Sequence, residues 1–222
     1  MALVEWASDL SVKTDIKYLA SLMQLGMGEA HWSRMFEYPW VLLHGNFQED
    51  HIVLDAGGGD GALQVMLACQ VAAVINVDSS YQNLSEGYER FHKNASFRKV
   101  SHLIGDLNTM WPLPDHFFDR VVCVSVLEHS TTYKTILDSL WRVLKPGGRL
   151  LVTMDVTTKA RHNHTIDDGR AREILSYFRL EMPPVPDNIL RWQCEEWDAQ
   201  PGEDPVVPLR CLCFYCNKEG SS

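Results

Sequence analysis

Apolar residues follow two alternating rhythms along most of this chain. Short unbroken apolar runs, such as Arg120-Val121-Val122-Cys123-Val124-Ser125, are the pattern of strands covered on both faces. Between them, apolar residues recur at helical spacing, as in Tyr133, Ile136, Leu137, Leu140, Val143 and Leu144. Strands are therefore predicted over 51–55, 73–77, 101–105, 120–125 and 149–155, with helices from 62, from 81 and over 133–144. Tyr81, Leu84, Tyr88 and Phe91 make the packing face of the second of these helices. Lys145-Pro146-Gly147-Gly148 stops the third. Beyond 155 the alternation weakens into a polar loop with His162 and His164, a helix near 172–178, and two late strands near 189–195 and 208–216. Residues 1–50 read as helices, with Ile16, Leu19, Leu22 and Met23 on one stripe that ends at Gly26 and Gly28.

Regular strand–helix alternation predicts an α/β fold, a doubly wound parallel sheet flanked by helices, with ligands at the carboxyl ends of the strands. A chain of 222 residues suffices for one such domain and a short N-terminal addition. Its 45% apolar and 22% charged residues are those of a globular protein. No apolar run approaches the roughly 20 residues that cross a bilayer. Glu5, Asp9 and Asp15 stand where an export signal carries basic residues. The expectation is a soluble, cytoplasmic protein without a membrane partner. A formal charge of −9 argues against nucleic acid, whose nonspecific affinity needs basic residues that displace counterions. Cys69 and Cys123 fall in a predicted helix and a predicted buried strand, a poor basis for a disulfide framework. Cys211, Cys213 and Cys216 lack the second ligand pair of a zinc site, and the apolar run around them reads as a buried strand, so no metal is expected.

The chemistry is concentrated where the first of these strands meets its helix, in Val53-Leu54-Asp55-Ala56-Gly57-Gly58-Gly59-Asp60-Gly61-Ala62. Glycines let the backbone take positive φ and come within van der Waals distance of a ligand, and the helix that follows offers unpaired N–H groups. Gly57, Gly59 and Ala62 satisfy the dinucleotide fingerprint, and Asp78 lies 19 residues after Gly59, so a NAD-dependent oxidoreductase is one reading. Asp55 points elsewhere: a carboxylate beside the turn repels a diphosphate and welcomes an ammonium or sulfonium. Asp106 can accept a hydrogen bond from an exocyclic amine while Leu107 lies against an adenine face. Ser125-Val126-Leu127-Glu128-His129 closes the fourth strand, and Leu140-Trp141-Arg142-Val143-Leu144-Lys145-Pro146-Gly147-Gly148 introduces the fifth.

From about Val53 to Val156 these segments together resemble the class I S-adenosylmethionine-dependent methyltransferases of the small-molecule branch. The resemblance implies a Rossmann-like sheet, mostly parallel with an antiparallel last strand. Within it Gly57 and Gly59 contact the methionine part of the cofactor, Asp78 holds the ribose hydroxyls and Ser79 lies beside the adenine. Asp106 and Leu107 match the adenine pair, and Ser125 the position whose backbone carbonyl meets the methionine ammonium. Asp55 matches the first acid of the motif, which orients the turn and contacts the ammonium directly or through water. Local readings stand beside these: Asp55 as acceptor of N–H bonds from its own turn, Asp78 as the cap of the helix near Ser80. The resemblance also implies that residues 1–48 form a helical lid over a methyltransferase domain at 49–222. In such a lid Arg34 meets the cofactor carboxylate and Tyr38 or Trp40 faces the sulfonium; core packing explains the same aromatics.

Methyl transfer from a sulfonium is an in-line displacement with a neutral leaving group, so positioning carries most of the catalysis. A general base is needed only for a protonated acceptor. His129, just after the fourth strand, is the candidate base; tying its loop to a neighbouring carbonyl is the other role open to it. His162 and His164 are weaker candidates. Base-amino methyltransferases carry Asn or Asp followed by Pro-Pro and an aromatic where this chain has Ser125-Val126-Leu127-Glu128, and cytosine-carbon enzymes need a cysteine, often after proline, whereas no Pro-Cys pair occurs here. A small-molecule acceptor remains, with oxygen the expected atom and nitrogen or carbon not separated from it. A noncatalytic cofactor-binding module fits the same residues.

Overall fold

Alternating strands and helices assemble into one nine-stranded sheet among the described residues. The structure, a computed structural model, describes residues 1–7, 33–109, 113–157, 166–187, 189, 192–195 and 206–220. In chain order the elements are β1 (Ala2–Trp6), α1 (Arg34–His44), β2 (Ile52–Ala56), α2 (Leu63–Ala68), β3 (Ala73–Asp78), α3 (Tyr81–Phe91), β4 (Val100–Ile104), β5 (Phe118–Val124), α4 (Tyr133–Val143), β6 (Leu144–Thr157), β7 (Ile166–Asp167), α5 (Asp168–Tyr177), β8 (Trp192–Glu195) and β9 (Val206–Asn217).

The sheet runs β1-β9-β6-β5-β2-β3-β4, with β7 beside β6 and β8 beside β9. Strands β4, β3, β2, β5 and β6 pair in parallel, while β9 pairs antiparallel with β6. Because β1 and β8 are both antiparallel to β9, they run with the parallel set. The last strand is thus the one reversed, in agreement with the α/β Rossmann-like architecture expected from the sequence. Alternation splits the interior into two cores. Leu54, Val121 and Leu150 face α4 and α5 on one side; Val53, Val122 and Leu151 face α1 and α2 on the other. Burial on both faces is what the unbroken apolar run of β5 requires.

Two expectations are revised. The chain begins with a strand rather than a helix: β1 pairs with the outer edge of β9 from Ala2↔Cys216 to Trp6↔Leu212, and β8 takes the rest of that edge. Five residues are too few for periodicity to separate a strand from a helix. The fifth strand also begins early, at Leu144, and the Lys145-Pro146-Gly147-Gly148 break lies within it as an irregularity against β5, where register jumps from Phe118↔Leu144 to Arg120↔Arg149. The helical stripe at Ile16 to Met23 lies outside the described residues.

Helix α1 docks through Trp40 and Val41 into the core shared with Cys211, Cys213 and Tyr215. Arg120 secures its end, donating from Nε to the Gly45 carbonyl at 2.6 Å and from Nη2 to that of Asn46 at 2.8 Å. Strand geometry turns Cys211 and Cys213 to this face and Cys216 to the opposite one, so the three thiols do not converge. Among the described residues, no helix is long and apolar enough to cross a membrane.

Candidate cofactor site

At the carboxyl end of β2 the chain turns sharply through glycines at positive φ, +73° at Gly57 and +52° at Gly59. A Cβ on Gly57 would lie 2.6 Å from the Val126 side chain, and one on Gly61 2.6 Å from the Tyr38 hydroxyl. Conformation and space both demand glycine here. Two side chains brace the turn from behind: Gln64 Nε2 donates to the carbonyls of Gly58 and Gly59 at 3.0 and 3.2 Å, and Asn76 Nδ2 to that of Gly59 at 2.9 Å. Neither emerges from the sequence reading, because an amide inside an apolar pattern carries no signature of its own.

Above the turn opens a cavity of about 550 Å³. It is lined by ten residues singled out from the sequence, Arg34, Tyr38, Gly57, Gly59, Asp78, Ser79, Asp106, Leu107, Ser125 and His129, whereas Trp40 packs in the core. Asp78 accepts from the backbone N–H of Gly59 at 3.0 Å and of Ser80 at 2.8 Å, joining the glycine turn to the end of β3. The cap of α3 is Ser80, whose hydroxyl accepts from Asn83 N, so the capping role considered for Asp78 falls to its neighbour. Asp106 accepts from the backbone and side-chain amides of Asn108 at 2.9 and 2.8 Å, beside a nearly buried Leu107. His129 is exposed at the end of a 3-10 turn, Leu127–His129, its backbone N–H donating to the Val126 carbonyl at 3.1 Å.

Asp55 does not line the cavity either. It lies beneath the turn, where a Cβ on Gly58 would run into its carboxylate, and it is 1% exposed. The N–H bonds expected from its own turn do not form; neither oxygen has a hydrogen-bond partner. Burial, opposed by the nearby Gln64 amide and by Arg34 and reinforced by the negative charge of Asp78, pushes its pKa up to about 7.

Helix α1 brings a further carboxylate that the sequence did not single out. Glu37 is wholly buried, accepts hydrogen bonds from the hydroxyls of Ser125 at 2.6 Å and Thr153 at 2.5 Å, and pairs with Arg34 one turn away. Burial alone would raise its pKa, but the Arg34 guanidinium and the two hydroxyls outweigh that and hold it below the usual carboxylate range. Arg34 in turn is raised above its ordinary value: desolvation opposes the charge and the Glu37 carboxylate more than compensates. Ser125 has φ +49°, rare for a residue with a Cβ. Glu128 and Asp155 lie nearby, buried, with Glu128 Oε1 accepting from Asp155 N at 3.1 Å. Burial drives the Glu128 carboxyl up to about 7 and that of Asp155 well above its usual value. Donor atoms of Glu37, Asp155 and Cys211 lie within 4.8 Å of one another, but the oxygens of Glu37 are already taken by Arg34, Ser125 and Thr153. His162 and His164 lie outside the described residues.

Comparison with known proteins gives this geometry a context. A family model described as a methyltransferase domain matches residues 54–152. The ubiquinone/menaquinone biosynthesis C-methyltransferase UbiE of Erwinia tasmaniensis is 33% identical over 103 residues, 45% of this chain and 41% of the relative. The chain thus spans about two fifths of the length of that curated relative. Among solved structures, the YcgJ protein of Bacillus subtilis superposes with a TM-score of 0.64 at 16% identity, covering 83% of this chain and 99% of that one. A SAM-dependent methyltransferase from Aquifex aeolicus follows with a TM-score of 0.59 at 19% identity, covering 92% and 99%. These similarities favour the adenosyl-donor reading of the glycine turn over the dinucleotide one.

Proposed function

We propose, from the match of residues 54–152 to a methyltransferase domain, that this chain is a class I S-adenosylmethionine-dependent methyltransferase that moves a methyl group from S-adenosylmethionine to a small-molecule acceptor. The observation that carries the reading is the meeting of the glycine turn, Asp78, Asp106, Leu107 and Arg34 around one cavity. Its volume of about 550 Å³ lies in the range of small-molecule sites, roughly 300–1,000 Å³. The cofactor fits the residues present: glycines with no room for a Cβ let a ligand lie on bare backbone, and an unpartnered buried carboxylate, Asp55, sits under the turn. Asp78 would hold the ribose hydroxyls, with Ser79, Asp106 and Leu107 around the adenine. Arg34 would pair with the amino-acid carboxylate, the Ser125 carbonyl would accept from the ammonium, and Asp55 would favour that charge from below. Tyr38, a phenol kept protonated by burial, would face the sulfonium with its ring.

Bound there, S-adenosylmethionine supplies an electrophilic methyl group on a neutral leaving group. The protein's part is to orient the acceptor, to exclude water and to hold one proton. His129 at the cavity lining takes that proton from an acceptor hydroxyl, which makes oxygen the acceptor atom. Carbon is the second reading, favoured by the C-methyltransferase name of the Erwinia relative. The reaction belongs in the cytoplasm, a reading supported by Cys69, Cys123, Cys213 and Cys216, whose thiols form no disulfide. The test is transfer of isotopically labelled methyl to a mixture of metabolites. Label should appear on a small molecule, and His129→Ala should lower turnover roughly 100-fold near neutral pH. Binding without transfer to any acceptor would mark a noncatalytic module. Unchanged turnover of the variant at every pH would remove His129 as the base.

A further inference from the structure

We infer that Glu37 is a positioning residue for the amino-acid end of the bound cofactor, acting through Arg34 and Ser125. The inference rests on the cofactor reading above and goes beyond it, because Glu37 does not line the cavity itself.

Burying a carboxylate is costly unless it is paired and hydrogen-bonded. Docking α1 does not require one, since Trp40 and Val41 of the same helix already fill the core beneath it. What Glu37 adds is a junction. Its Oε1 takes the Ser125 hydroxyl from the end of β5 and the Thr153 hydroxyl from β6, while its Oε2 pairs with Arg34 on α1. Two of those three partners line the cavity. Arg34 is a long, flexible cation whose side chain is 24% exposed, and an anchored carboxylate fixes where its remaining donors lie. Ser125 holds φ +49°, a left-handed conformation that a residue with a Cβ adopts at a cost. The bond from its hydroxyl to a buried acceptor sustains that turn, and with it the direction of the Ser125 carbonyl. One carboxylate therefore sets two groups assigned to opposite charges, the cation for a carboxylate and the carbonyl for an ammonium.

Two ligands separate this role from a structural one. S-adenosylhomocysteine carries the amino-acid end; 5′-methylthioadenosine keeps the adenine, ribose and sulfur and lacks it. Titrating the full chain with each, Glu37→Gln should weaken S-adenosylhomocysteine roughly tenfold, the size of one charge-assisted hydrogen bond, and leave 5′-methylthioadenosine within about twofold. Thr153→Val, which loosens Glu37 from a residue outside the cavity lining and keeps the Arg34 pair, should give a smaller loss of about threefold with the same selectivity. It decides the matter if Glu37→Gln does not fold. Equal losses for the two ligands, or no loss for either, overturn the positioning role alone. A wild-type chain that binds neither ligand overturns the cofactor reading and this inference with it.

Discussion

Asp55 and Glu37 are two buried carboxylates near one end of the sheet, with pKa values displaced in opposite directions. Asp55 has no hydrogen-bond partner, and burial pushes its pKa up to about 7 in the folded protein, against about 3.9 in an unfolded chain. Between those values the native state holds a proton that the unfolded state has released, so this group's contribution to stability falls as pH rises through that window. Glu128, with a pKa of about 7, and Asp155, also raised, act with the same sign. Glu37, depressed by Arg34 and two hydroxyls, contributes stability above its unfolded pKa and loses it in acid. The melting temperature without ligand is therefore expected to decline from pH 5 to pH 8. Asp55→Asn should flatten part of that decline and raise the melting temperature at pH 8 by about 2–4 °C for each kcal/mol recovered. A variant curve parallel to the wild type would show that Asp55 ionises freely. The glycine turn and Asp78 were legible from sequence because their relations are local. Glu37 was not: its partners Ser125 and Thr153 lie 88 and 116 residues away.

Elements differ in how openly they declare themselves. Helix α4 and strand β5 follow their periods closely, and their boundaries match the expectation within a few residues. Strand β1 does not, because its identity is conferred by the unpaired edge of β9 rather than by its own five residues. It is nonetheless anchored: Trp6 is 2% exposed, donates to the Pro183 carbonyl at 3.2 Å and lies under the Arg210 guanidinium at 4.8 Å. Trp6→Ala is expected to destabilise the chain by about 3–5 kcal/mol in urea unfolding. A loss below about 1 kcal/mol would mean that β1 is not an integral strand. In the glycine turn, Gly57→Ala meets both positive φ and the Val126 side chain. Its predicted effect is to abolish measurable cofactor binding while leaving circular dichroism unchanged; tight binding by this variant would contradict the cradle.

The whole molecule joins an architecture readable from its apolar rhythm to a site assembled only in three dimensions. The α/β class and the site's place at the carboxyl ends follow from alternation and from the rules of doubly wound sheets, and the reversal of the last strand from the family resemblance. The bracing by Gln64 and Asn76, the burial of Asp55 beneath the turn and the Glu37 junction depend on packing between distant segments, which no local pattern encodes. The central claim is that this cavity receives a positively charged adenosyl donor. Isothermal titration of the purified chain with S-adenosylhomocysteine and, separately, with NAD tests it most directly. The account predicts saturable one-to-one binding of the first, weakened at least tenfold by Asp78→Ala, and none of the second; binding of NAD with no heat from S-adenosylhomocysteine would contradict it.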